Sequence, residues 1–217
     1  MRTHEAVPEV SRKLFSAVRS CPPADRAGPL AQLRAATRAH HQRIDRLMDL
    51  RRMRDPGHYA GVLRVFDAFL AAWEPAVAAA LPPQWHAWLD ARSRRPFLER
   101  DLAVLGIAPA DADARVPSLS SAAAAWGSVY VMEGSALGGQ FITRSLAEAG
   151  LFPHRGAAYF HGWGERTASM WRDCRTTLEE QLADPRALAD ACDAACRTFD
   201  TLSNLLESAL HERTAVA

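Results

Sequence analysis

Lysine is almost missing from this chain of 217 residues. Lys13 is the only one, so nearly all of the 26 basic side chains are arginine, set against 25 acids for a formal charge of +1. The arginine excess reads as coding bias, and the balance of charge excludes the basic face that a nucleic acid partner requires. Cys21, Cys174, Cys192 and Cys196 form no C-x-x-C pair, and no apolar segment near the N-terminus has the form of a signal peptide. A reducing cytoplasm fits that pattern. No run approaches the roughly 18 to 20 uninterrupted apolar residues of a membrane span, so no membrane is expected as partner. No strand signal of any length occurs, which makes the fold class all-α. Three common site motifs are also missing: Glu-x-x-His of the di-iron bundle, His-Glu-x-x-His of zinc proteases, and the dinucleotide-binding Gly-x-Gly-x-x-Gly.

What is present is 48% hydrophobic, enough to bury a core in one domain. Residues 1–28, rich in Pro and charge, are expected to form a mobile N-terminal arm, and residues 29–217 a helical domain. Residues 30–50 carry Leu30, Leu33, Thr37, Ile44, Leu47 and Met48 on one helical stripe. Asp55-Pro56 starts a second helix, apolar on more than one face and therefore central, with Pro75 as a kink. Pro96 opens another that Gly106 closes. Ser118-Leu119-Ser120 is expected to cap the next, residues 165–183 to form a helix with Met170, Trp171, Cys174 and Leu178 inward, and Asp184-Pro185 to start the last. Cys192 and Cys196 on that helix are expected in the core.

The segment Trp126 to Gly150 is apolar and long enough for a buried helix, yet carries Gly127, Gly134, Gly138 and Gly139 inside it. Each costs a helix about 0.8–1 kcal/mol relative to alanine. At about 100° per residue Gly127, Gly134 and Gly138 fall within roughly 40° of one another, a bare stripe that Ser135 and Gly139 widen, and adjacent glycines are a place where a helix bends. Such a stripe admits either a tightly packed partner helix or a flat ligand laid on exposed backbone. Gly134-x4-Gly139 lacks the Lys and Ser/Thr of a phosphate loop, and Ser135 lacks the strand-turn-helix elbow of a nucleophile.

His40 and His41 lie within or at the edge of the apolar stripe of the first helix. Asp45 stands four residues beyond His41, where a carboxylate takes one ring N–H, fixes the tautomer and makes the other nitrogen a better metal donor. His40 meets only Ile44 at that spacing. Arg166 and Arg172 read as surface arginines or as anion clamps at a pocket edge.

At these segments the sequence resembles the heme oxygenase family, and within it the bacterial, biliverdin-producing branch that accompanies bacteriophytochromes. Leu33-Arg34-Ala35-Ala36-Thr37-Arg38-Ala39-His40-His41 is similar to the family's first-helix pattern, and Tyr130-Val131-Met132-Glu133-Gly134-Ser135-Ala136-Leu137-Gly138-Gly139-Gln140 to its glycine-bearing distal helix. Arg166-Thr167-Ala168-Ser169-Met170-Trp171 and the closing Phe199-x-x-Leu202-x-x-Leu205-Leu206 agree as well. The resemblance implies a single-domain bundle with a glycine-kinked distal helix, in which heme b is both cofactor and substrate and is cleaved with O2 to biliverdin, carbon monoxide and ferrous iron. It implies His41 as proximal iron ligand with Asp45 behind it, Thr37 and Ser135 at the heme, Gly134 and Gly138 over the macrocycle, and Arg172 at a propionate. It implies a reductase or ferredoxin as electron donor and a bacteriophytochrome as acceptor of the biliverdin. Ser135 stands where the vertebrate enzymes carry an aspartate that organises distal water. The alternatives are a heme-binding protein of the same fold without turnover, and a thiaminase-like member of the wider fold with Cys174 as nucleophile.

Overall fold

The computed structural model describes residues 28–110 and 114–214. The arm expected over residues 1–28 lies, Gly28 excepted, outside the described residues. Among the described residues eight α-helices form the framework, and none belongs to a sheet strand.

Helix α1 (Pro29–Met48) begins on a proline, whose missing N–H would be unpaired at that position anyway. It buries Leu33, Thr37, Ile44 and Met48, the stripe read from its spacing. Helix α2 (Pro56–Ala80) starts where Asp55 accepts the His58 N–H at 2.7 Å, and Pro75 does not end it. Its buried Tyr59, Val62, Phe66, Phe69 and Trp73 face several neighbours at once, as a central helix must. Helix α3 (His86–Asp90) is short, and α4 (Arg95–Leu105) ends on Gly106 at φ 66°, the left-handed turn that glycine allows without strain. Helix α5 (Ala122–Ala147) runs unbroken through its glycines; its cap is Ser121, whose Oγ accepts the Ala124 N–H at 3.1 Å, rather than the expected Ser118 to Ser120. Helix α6 (Ala158–His161) and α7 (Thr167–Gln181) follow, and Asp184 caps α8 (Pro185–Thr214) by accepting the Arg186 and Ala187 N–H groups.

The core lies where α2, α5 and α8 meet, with α1 on α8 and α7 beside α5. A buried hydrogen-bonded chain crosses it. Trp73 Nε1 donates to Ser128 Oγ at 2.7 Å, Ser128 to Thr198 Oγ1 at 2.8 Å, and Thr198 to the Ala194 carbonyl at 2.8 Å. Each polar atom thereby finds a partner in a place where an orphan would cost about 1–3 kcal/mol. Two glycines of α5 serve this packing. A Cβ at Gly127 would stand 2.0 Å from the Ala191 carbonyl oxygen of α8, and one at Gly139 would stand 2.4 Å from that of Phe160 on α6. Gly127, expected on the bare stripe, is therefore filled by helix backbone. The buried Asp101 of α4 holds α6 in that position by accepting the Ala158 and Tyr159 N–H groups, each at 2.8 Å.

Candidate functional site

Helices α1 and α5 each pack mainly on α8. They are tied at two points. Near one end Tyr130 of α5 lies beside Thr37 of α1, whose hydroxyl donates to the Leu33 carbonyl at 2.8 Å. At the other, Ser145 Oγ donates to the Leu50 carbonyl at 2.7 Å, and Arg54 pairs with Glu148 at 2.7 Å. His41 stands one turn past Thr37 on α1, and Gly134 and Gly138 one and two turns past Tyr130 on α5.

His41 is 59% exposed, with Nδ1 3.0 Å from the Asp45 carboxylate and Nε2 free of any partner among the described residues. Its ring meets the buried Phe199 of α8 edge-on at 5.7 Å between centroids. One nitrogen is thus held, the ring is steadied, and the second nitrogen remains for a metal. Gly138 is open: a Cβ there would touch nothing within 4 Å. At Gly134 it would come 3.6 Å from Cη2 of Trp171 on α7. The glycines of α5 therefore divide, Gly127 and Gly139 against backbone, Gly134 and Gly138 toward space and a movable aromatic edge. Open backbone on α5 and a supported imidazole on α1 make a donor set that fits a flat iron macrocycle such as heme.

A sequence profile of the heme oxygenase family matches residues 29–208. The chain belongs to the heme oxygenase family. It is 39% identical over 145 residues, 67% of this chain and 86% of the other, to a heme oxygenase of Xanthomonas campestris pv. campestris (strain 8004). It also shares the fold of the NO- and CO-bound heme oxygenase from Neisseria meningitidis, with a TM-score of 0.71 at 23% identity, over 84% of this chain and 92% of that one.

Set against this family, the remaining sequence-predicted residues occupy distinct places. Thr37 is buried, 3% exposed, and its hydroxyl is occupied by the Leu33 carbonyl of its own helix. Ser135 turns away from the open side: its Oγ donates to the Met132 carbonyl at 2.7 Å and accepts from Arg94 Nη2 at 2.8 Å. Arg94 is buried, also donates to the Met132 carbonyl at 2.7 Å, and lies 5.0 Å over the Tyr159 ring. A cation thus sits beneath the distal helix, one turn from Gly138. Arg172 is exposed and its guanidinium makes no ion pair among the described residues; Arg166 is exposed too.

Three expectations are corrected. His40 does find a carboxylate, from α8 rather than from its own helix, with Nδ1 2.7 Å from Asp200. Cys192 and Cys196 are half-exposed, not core, while Cys174 is fully buried. Burial pushes the Cys174 thiol well above its usual range, which removes the nucleophile of a thiaminase-like reading. Trp171 is only half-buried, at Gly134, and packs against Tyr130 at 6.0 Å between ring centroids. Phe199 and Trp171 carried only a core signal in the sequence, and Arg94 carried none.

Proposed function

We propose that this heme oxygenase holds heme b in the cleft between α1 and α5 and opens it to biliverdin, carbon monoxide and ferrous iron, with O2 and with electrons from a reductase or ferredoxin. The observation that carries the reading is His41 on α1, its Nδ1 engaged by Asp45 and its Nε2 unengaged, together with the open backbone of Gly138 on α5. When bound, the heme supplies the iron that activates O2 and the meso carbon that is oxidised.

The chain's own residues do the rest. His41 is the iron ligand through Nε2, and Asp45 and Phe199 fix the direction of its ring. A neutral imidazole pushes less electron density onto the iron than a thiolate, and so favours O–O cleavage less. Gly134 and Gly138 would bring backbone rather than side chain to the other face of the ring, and that face would carry no imidazole or guanidinium from α5. Ser135, bound to Arg94 and Met132, acts by anchoring the distal helix instead of donating into the cleft. Thr37 closes the cleft with Tyr130. Arg172 offers an unpaired guanidinium to a propionate, which sets the rotation of the macrocycle.

Three free cysteines among the described residues suit a reducing compartment such as the cytoplasm, and no helix of the described residues is long and apolar enough to cross a membrane. A bacteriophytochrome as acceptor of the biliverdin rests on sequence resemblance alone.

The test is the absorbance spectrum of the protein loaded with hemin, before and after ascorbate in air, with His41→Ala alongside. A one-to-one Soret band that decays into the red absorbance of biliverdin, and is altered in the variant, is the expected result. A saturable Soret band that never decays would leave a heme carrier without turnover, and no saturable band would remove heme from the reading altogether.

A further inference from the structure

Arg92 stands in the turn between α3 and α4, yet its side chain is only 8% exposed. A guanidinium keeps its proton and forks in a plane, so a buried one marks a point where separate elements share a partner. Three elements share this one. Nε lies 3.4 Å from the Glu133 carboxylate of α5, the residue directly before Gly134. Nη2 bonds the Asp173 carboxylate and reaches the Met170 carbonyl at 3.4 Å, both on α7. The face of the group rests 3.8 Å from the centre of the Trp88 ring on α3.

Met170 and Asp173 bracket Trp171 and Arg172. Trp171 is the side chain that lies against Gly134, and Arg172 carries an unpaired guanidinium. Arg92 therefore pairs with α5 one residue before Gly134, and holds α7 on both sides of Trp171 and Arg172.

Simple adhesion does not need charges in this place. Buried ion pairs exchanged for apolar side chains of similar volume often leave stability unchanged or improved, and their best-attested use is to fix registry. Glu133 shows what the arrangement costs: burial pushes its carboxyl above the ordinary range, and Arg94 and Arg92 pull it back.

We propose that Arg92 is a positioning residue for heme, holding α7 at a set height against α5 and thereby setting the seat that Trp171 and Arg172 give one edge of the macrocycle. The inference rests on the heme seating proposed above. Its consequence is regiochemical, because a ring that slips or rotates presents a different meso carbon to the distal helix.

Arg92→Lys, Asp173→Asn and Arg172→Gln test it, each first checked by thermal unfolding. Asp173 is 61% exposed, so its amide leaves the fold intact even where the Arg92 variant does not. The readouts are hemin affinity, circular dichroism in the Soret region of the ferric complex, which needs no turnover, and the biliverdin isomers released. Arg92→Lys and Asp173→Asn are expected to weaken hemin binding about tenfold, to change the Soret dichroism, and to turn one isomer into a mixture, in the same sense as Arg172→Gln. If Arg172→Gln changes dichroism and isomers while both other variants match wild type, Arg92 is a fold staple only and the proposal is overturned. If Arg172→Gln also matches wild type, the seating itself is wrong and the proposal falls with it.

Discussion

His40 lies 2.7 Å from Asp200 through Nδ1, which ties α1 to α8 at the turn from which His41 faces the cleft. Two adjacent histidines thus hold carboxylates from different sources: His41 takes Asp45 from its own helix at 3.0 Å, His40 takes Asp200 from another. Arg43 extends the second contact, pairing with Glu207 at 2.7 Å and bonding Asn204 at 2.8 Å. The two rings should therefore separate cleanly by experiment. His41→Ala is expected to lose or alter the Soret band of the hemin complex. His40→Ala should keep the band and lower stability by about 1 kcal/mol, the scale of one half-exposed side-chain hydrogen bond. A hemin titration and a denaturant curve on each variant check both statements.

The four glycines of α5 make a second division. Gly127→Ala and Gly139→Ala put a methyl 2.0 and 2.4 Å from carbonyl oxygens of neighbouring helices, and backbone cannot step aside as a side chain can. Each should destabilise the protein by about 1–3 kcal/mol or more. Gly138→Ala meets nothing within 4 Å, so the ligand-free protein should gain up to about 1 kcal/mol of helix stability. The same methyl should weaken hemin binding, since it stands on the face proposed for the ring. Thermal unfolding of the ligand-free and hemin-loaded forms reads both effects. A Gly138→Ala variant that binds hemin as wild type does would place the macrocycle elsewhere.

The contrast also marks what the sequence could carry. Helix periodicity, Asp-Pro starts and the Gly106 stop are local, and they appear where spacing put them. The side of α5 was legible only as a stripe of small residues, because a missing Cβ looks the same whether a helix or a ligand will approach it. The wheel grouped Gly127 with Gly134 and Gly138, and only the position of α8 separates them. Asp45 behind His41 was visible at i+4, whereas Asp200 behind His40 lies 160 residues away. Arg92 and Arg94 gave no signal either: in sequence they belong to a charged turn, and their burial comes from α5 and α7 folding over them.

Ser135 and Arg94 supply a third prediction. The Ser135 hydroxyl spends its proton on the Met132 carbonyl and accepts from Arg94, so it has no proton to give the cleft. Ser135→Ala should keep hemin binding and turnover within a fewfold of wild type, while removing about 1.5–3 kcal/mol of stability for the lost bond to a charged donor. Arg94→Leu should cost more, because the Met132 carbonyl also loses a donor and Glu133 loses a nearby cation. Single-turnover rates with ascorbate, set beside unfolding curves, separate the two variants. Loss of turnover in Ser135→Ala at unchanged hemin affinity would return the hydroxyl to the distal chemistry.

His58 gives the chain a pH dependence whose sign can be worked out. It is 3% exposed, and Nε2 lies 3.2 Å from the Met48 carbonyl. A carbonyl only accepts, so Nε2 carries the proton and Nδ1, which has no hydrogen-bond partner, is bare. Charging the ring would bury a second N–H with nothing to bond. Burial accordingly holds its pKa below the ordinary 6.5, against the raising effect of the Met48 bond. Between the folded value and 6.5 the unfolded chain binds a proton that the fold refuses, so stability from this residue is complete above pH 6.5 and declines as pH falls through the window below it. Glu74, Asp101 and Glu133 act in the opposite sense, since burial raises each of them and their contribution falls as pH rises above the ordinary carboxylate range. The wild-type slope mixes the two, and a variant isolates one. His58→Gln keeps a donor for Met48 and cannot titrate, so its loss of melting temperature between pH 7.5 and pH 5.5 should be smaller than that of wild type. Equal losses in the two proteins would mean that His58 is charged in the fold, with an acceptor at Nδ1.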